Sequence, residues 1–235
     1  MRTALALLIA VAAPAVLATT PAPTAAAAAG STPLDAYLDN LKTLRATFLQ
    51  TLADAHGHEI DRASGTLIVV RPGKFSWDIR PLAPAGGSAA TNAAKAAQAA
   101  DSQGQLMVCD GVNLWFYDRD LQQVTVKAVD SALSATPAML LSGAADVRAH
   151  FRISAAGQRL GLDWVLVEPQ GSAADFSRAL LGFARGELQR MILEDKLDQT
   201  ATVVFDKIER NVAVAPAEVS FTPPAGADVI GTPRR

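Results

Sequence analysis

The sequence predicts a mainly β protein with short α-helices, laid out as a large antiparallel meander. Three observations carry this. Apolar residues recur with period two through most of the chain, as in Phe75, Trp77 and Ile79 against Lys74, Ser76 and Asp78. Turn signals such as Gly57, Gly73, Asp110-Gly111, Gly157, Gly161, Gly171, Gly186 and Asp198 separate the runs. Helical spacing is confined to a few short segments, too few to connect parallel strands.

In chain order, Met1-Arg2 and the polar-free run Ala4 to Ala18 come first. Fifteen apolar residues span roughly 22 Å as a helix, short of the roughly 30 Å hydrocarbon core, and small-residue cleavage sites follow between about 18 and 29. Residues 1–29 are therefore expected to be an export signal and linker, and 30–235 one domain. Leu34, Tyr37, Leu38 and Leu41 then form a greasy helical stripe behind a Thr32-Pro33 start. About eleven strands follow: 44–49, 67–71, 74–79, then about 105–109, 113–118, 122–129, 149–155, 161–168, 176–184, 187–195 and 199–209. Ser134 to Ser142 opens on Thr136-Pro137 and is a second short helix. Residues 83–105, rich in Ala, Gly, Ser and Gln, read as an insertion without assigned function. Phe221-Thr222-Pro223-Pro224 suits a sheet edge or cover.

Composition excludes several functions. The 235 residues carry 21 basic and 23 acidic side chains, so there is no broad basic surface for nucleic acid. One cysteine, Cys109, forbids an intrachain disulfide and reads as a small buried hydrophobe. No phosphate-binding glycine loop, nucleophile elbow or paired-histidine zinc motif occurs, and no cofactor is implied. His56, His58 and Glu59 are the one close group of ligand-type side chains; a metal-dependent hydrolase would use them, whereas the plainer reading is a polar hairpin tip. Asp118 and Asp120 read as a turn around Arg119.

Several strands are apolar on both faces: Leu106-Met107-Val108-Cys109, Leu114-Trp115-Phe116-Tyr117, Trp164-Val165-Leu166-Val167 and Val203-Val204-Phe205. A sandwich, or a sheet covered on both sides, explains this. So does a curved sheet whose apolar hollow is capped by short helices, the kind of site that takes hydrophobic ligands.

The sequence resembles the LolA family of periplasmic outer-membrane lipoprotein carriers. The resemblance rests on Leu34-Asp35-Ala36-Tyr37-Leu38 with Leu41 to Gln50, then Ser64-Gly65-Thr66-Leu67 and Arg71-Pro72-Gly73-Lys74-Phe75-Ser76-Trp77. Asp110-Gly111, Leu114 to Asp118, Leu121 to Val124, Thr136 to Leu141 and Pro223 to Val229 continue it in order. It departs at the 83–105 insertion and at Leu197-Asp198, where the family commonly reads Phe-Gly. The resemblance implies an incomplete antiparallel β-barrel under a helical lid over an apolar cavity. It also implies a non-enzymatic, monomeric periplasmic chaperone with only transient membrane contact. Such a carrier takes triacylated lipoproteins from an inner-membrane ATP-driven releasing complex to an outer-membrane receptor. The matching arginine, Arg71, is then expected to latch the lid. Leu34, Leu38, Leu41, Phe48, Leu67, Val69, Phe75, Trp77, Met139, Leu140 and Leu141 are expected to wall the acyl-chain cavity. A binder or sensor of another amphiphile on the same fold is the alternative.

Overall fold

The structure, a computed structural model, describes residues 31–82, 103–132, 136–143, 147–171 and 174–234. The expected export signal and most of the 83–105 insertion lie outside these residues. Among the described residues, twelve strands form one sheet: β1 (Thr43–Ala53), β2 (Glu59–Val70), β3 (Lys74–Pro81), β4 (Gln105–Asp110), β5 (Asn113–Asp118), β6 (Gln123–Ala128), β7 (Phe151–Arg159), β8 (Leu162–Pro169), β9 (Phe176–Ala184), β10 (Glu187–Asp195), β11 (Thr200–Arg210) and β12 (Asp228–Ile230). The order is β12-β6-β5-β4-β3-β2-β1-β11-β10-β9-β8-β7, so the chain meanders outward from β1 to β6, crosses to the opposite edge at β7 and meanders back inward to β11 beside β1. All pairings are antiparallel except β12 on β6. The linear order leaves an open sheet, an incomplete barrel.

Among the described residues, two α-helices lie on its concave face. Helix α1 (Pro33–Asp39) starts with a capping box: the Thr32 amide donates to Asp35 Oδ2 at 2.7 Å and the Asp35 amide to Thr32 Oγ1 at 3.3 Å. Helix α2 (Pro137–Ser142) has Thr136 as N-cap and ends on Gly143 at φ +61°, a left-handed C-cap. It begins at Pro137; Ser134 is outside the described residues. α1 packs over β8 and β9, α2 over β2 and β3. Both helices join Leu44, Val69, Phe75, Leu181 and Met191 in one core.

Strand register arranges the concave face in rows. Leu44, Val69, Phe75, Cys109 and Leu114 lie side by side on β1 to β5 and are all at most 1% exposed. Next come Ala46, Leu67, Trp77, Met107, Phe116 and Thr125, then Phe48, Gly65, Ile79, Gln105, Asp118 and Gln123. Gly65 is required: a Cβ there would stand 2.6 Å from Phe48 Cζ, so its absence lets the Phe48 ring lie across β2. That ring meets Trp77 edge-on at 6.0 Å and Phe205 at 6.3 Å.

The two-sided apolar strands are explained without a second sheet. The outer faces of Val108, Trp115, Tyr117, Val124 and Val126 form a separate cluster beneath the C-terminal segment, where Phe221 lies 5.6 Å from Trp115 and 5.8 Å from Tyr117. On β11 the outward Val204 is simply exposed. Two expectations need correction. Gly157 does not end a strand; at φ +76° it sits within β7 where the register slips between Ala155 and Gln158, a bulge. β2 begins at Glu59, well before residue 67; its first four residues are exposed and carry no apolar alternation from which the strand could be read.

Candidate lipid-binding site and lid

Two cavities lie on the concave side, one at each end of α2. The first, about 280 Å³, is mostly apolar: Leu52, Trp77, Met107, Phe116, Phe176 and Leu193 line it with Thr136-Pro137 of the α2 start, joined by Gln50, Asp175, Asp195 and Gln199. A second space of about 240 Å³ adjoins it, sharing Trp77, Ile79, Met107 and Phe116 and reaching the exposed Leu121. At the other end a polar cavity of about 560 Å³ is bounded by Asp35, Asp39, Lys42, Arg71, Gly143 and Arg148.

Arg71 stands at that polar end. Its guanidinium donates to the carbonyl oxygens of Leu38 and, at 3.4 Å, Leu41, where α1 ends. It also lies against Gly143, the C-cap of α2, so close that a Cβ on Gly143 would come 2.8 Å from Cζ. One cation thus meets the carbonyl-rich ends of both helices, where the helix dipole favours positive charge. The neighbouring backbone reinforces this: the Arg71 amide donates to Lys42 O and the Gly73 amide to Ser142 O, both at 2.8 Å. Arg148 pairs with Asp35 at the other end of α1. Burial raises the Asp35 carboxyl, but bonds from the Thr32 amide and hydroxyl and from Arg148 outweigh it and hold it below the usual range. Arg210 makes a further tie, with its guanidinium 4.6 Å above the Tyr37 ring and donating to Tyr37 O at 3.2 Å.

The expected wall residues divide into three groups. Trp77 lines the apolar cavity. Leu38, Leu41 and Leu140 border the polar one beside Arg71. Leu34, Phe48, Leu67, Val69, Phe75, Met139 and Leu141 touch neither; they are packed core between lid and sheet, none more than 2% exposed. Met107, Phe116, Phe176 and Leu193 were missed. Two of them were legible: counting back from the Asp110-Gly111 turn pairs Met107 with Phe116 and places both beside Trp77.

His56 and His58 stand on the exposed β1–β2 tip, where Asp54 Oδ1 accepts both backbone amides at 2.9 Å. Glu59 is taken by Arg62. Among the described residues, no cluster of three or more His, Cys, Asp or Glu side chains is placed to hold a metal ion. Cys109 is fully buried, donates to Gly73 O at 3.0 Å, and has its thiol pushed up to about 11 by burial.

The family described as outer membrane lipoprotein carrier protein LolA matches residues 39–84 and 97–222. The chain belongs to the LolA family. An outer-membrane lipoprotein carrier protein of Dechloromonas aromatica is 38% identical over 83% of this chain and 84% of its own length. Another, of Nitrosospira multiformis, is 36% identical over 86% and 89%. Among solved structures, a LolA superfamily protein from Nitrosomonas europaea aligns with TM-score 0.42 and 11% identity over 80% of this chain and 96% of that one. Proteins of the LolA family are non-enzymatic carriers, in keeping with a site made of a greasy hollow and a cap.

Proposed function

We propose that the protein ferries triacylated lipoproteins across the periplasm, accepting them from an ATP-driven releasing complex of the inner membrane and handing them to an outer-membrane receptor. The observation that carries this is the apolar cavity beside α2, on a sheet face whose next rows are buried and, among the described residues, covered by two short helices. Exposing one long acyl chain to water costs on the order of 10 kcal/mol at roughly 0.8 kcal/mol per methylene, so passage between membranes needs such a shelter. In the closed form the cavity of about 280 Å³ lies at the bottom of the range that holds a drug-sized ligand. Three acyl chains therefore require the lid to part, opening the packed rows at Leu67, Val69 and Phe75 beneath it.

Arg71 links loading to release. Its bonds to the ends of α1 and α2 exist in the closed, empty state and break as cargo lifts the helices. Their re-formation favours emptying, so delivery needs no nucleotide at the carrier.

The test is incubation of the protein with spheroplasts, followed by analysis of lipoproteins released into the soluble fraction. Released lipoproteins bound one-to-one are expected; their absence overturns the reading. Arg71→Leu is expected to accept cargo and to pass it on at least tenfold more slowly, since charge-assisted hydrogen bonds contribute about 1.5–3 kcal/mol. Delivery at the wild-type rate would remove Arg71 from the mechanism.

A further inference from the structure

The two adjoining spaces at the mouth differ in chemistry although they share a wall. Along the outermost row of the concave face, Phe48, Gly65 and Ile79 are followed on β4, β5 and β6 by Gln105, Asp118 and Gln123. Apolar floor becomes a polar shelf within one strand spacing, of order 5 Å. With Thr125 from the next row, the shelf offers two side-chain amides, a carboxylate and a hydroxyl. The Gln105, Gln123 and Thr125 side chains hold no hydrogen bond to other described residues.

A second observation falls at the boundary. Trp77 lines both spaces and is 5% exposed, yet its indole N–H is buried without a hydrogen-bond partner among the described residues. An unmet buried donor costs about 1–3 kcal/mol, and buried tryptophans ordinarily find an acceptor. The ring that carries it borders both the oily compartment and the polar one.

We infer that Trp77 and the Gln105–Gln123 shelf bind the polar neck of the cargo, the ester- and amide-bearing acylated cysteine, so that the acyl chains lie toward β10 and β11 and the polypeptide leaves over β4–β6. This rests on the lipoprotein-carrier reading and gives it a direction. The Trp77 N–H donates to a carbonyl oxygen of the neck. The glutamine amides then pair with the first peptide groups, which are the polar atoms that cannot follow the chains into the hollow.

The experiment places a photo-crosslinking benzoylphenylalanine at Gln123 or at Leu193 in the full chain. The protein is loaded with a synthetic tripalmitoyl-cysteinyl hexapeptide, and crosslinks are mapped by fragmentation mass spectrometry. Position 123 is expected to capture the peptide and position 193 an acyl chain. Acyl capture at 123, or capture at 193 alone, overturns the inference while leaving the carrier reading intact; a protein that retains no lipopeptide overturns both. As a second measurement, Gln105→Leu/Gln123→Leu and Trp77→Phe are each expected to lower the ratio of lipopeptide affinity to fluorescent fatty-acid affinity about fivefold, the worth of one or two net hydrogen bonds. An unchanged ratio in both variants also overturns the inference.

Discussion

Helix α2 has two unlike ends. Its N-terminal end, Thr136-Pro137, roofs a cavity lined by Trp77, Met107 and Phe116 and makes no ionic contact there. Its C-terminal end, Gly143, lies against the Arg71 guanidinium, which also grips the last carbonyls of α1. Between them the helix is wholly buried. The contrast separates two tasks. On the proposed reading, affinity for oil belongs to the end that borders the apolar cavity, and resistance to opening to the end held by a few directional bonds. If those bonds are lost on loading, as proposed, they reduce apparent affinity by the population of the open form and can be tuned without altering the oily surface.

Breaking the apolar end has the largest expected effect. Phe116→Asp puts a charge on the cavity wall and is expected to weaken lipopeptide retention about a hundredfold, since burying an unpaired charge beside acyl chains costs several kcal/mol. Equilibrium binding of a fluorescent lipopeptide checks this. Retention within threefold of wild type would place the chains elsewhere. Breaking the polar end comes next. Gly143→Ala strains a left-handed backbone position by about 1–2 kcal/mol and pushes a methyl group into Arg71. Hydrogen exchange of the α1 and α2 amides is expected to quicken about thirtyfold, with β1 and β11 unaffected. Equal protection in the variant would mean that the guanidinium does not hold α2.

The two ends were unequally legible in the sequence. Arg71 is in phase with Leu67 and Val69, which places it at the core face of β2; its bonding to helix-end carbonyls came from the family resemblance, since no acidic partner marks it. The cavity was harder. Periodicity assigns a residue to a face but not to a row, and whether a concave apolar side chain is packed or lines a hollow depends on how far the lid extends along the strand. Phe75 and Trp77 look equivalent in sequence, two residues apart on one face. Phe75 is fully buried in the core, while Trp77 borders both mouth cavities. β12 was invisible for a different reason: three exposed residues after Pro223-Pro224 pair in parallel with β6 and have no apolar pattern to read.

A smaller effect is expected from acid. The Asp35 carboxyl titrates below its unfolded value of about 3.9 because Thr32 and Arg148 hold its charged form. A depressed carboxylate stabilises the fold above the unfolded value, and this contribution is lost as pH falls through the lower, folded one. Protection of the α1 amides should therefore be flat from neutral pH down to about 4, then fall. In Asp35→Asn the fall should disappear and protection at pH 7 should drop by a cap's worth, about 1 kcal/mol. An acid response that survives in the variant would assign the sensitivity to another group.

A last measurement reports on both ends at once. Cys109 lies in the innermost row, beneath the latch, with its Sγ on Gly73 O and its thiol pushed up to about 11. In the closed state it is both inaccessible and protonated at pH 8, so alkylation must wait for the lid and sheet to separate. Iodoacetamide labelling at pH 8 is expected to be slow in the wild type and at least tenfold faster in Arg71→Leu, because loss of the latch raises the open population. Phe116→Asp, which alters the other end, should leave the rate within twofold. If both variants label alike, the ends of α2 open as one unit, and the division between an oily end and a holding end is not mechanical.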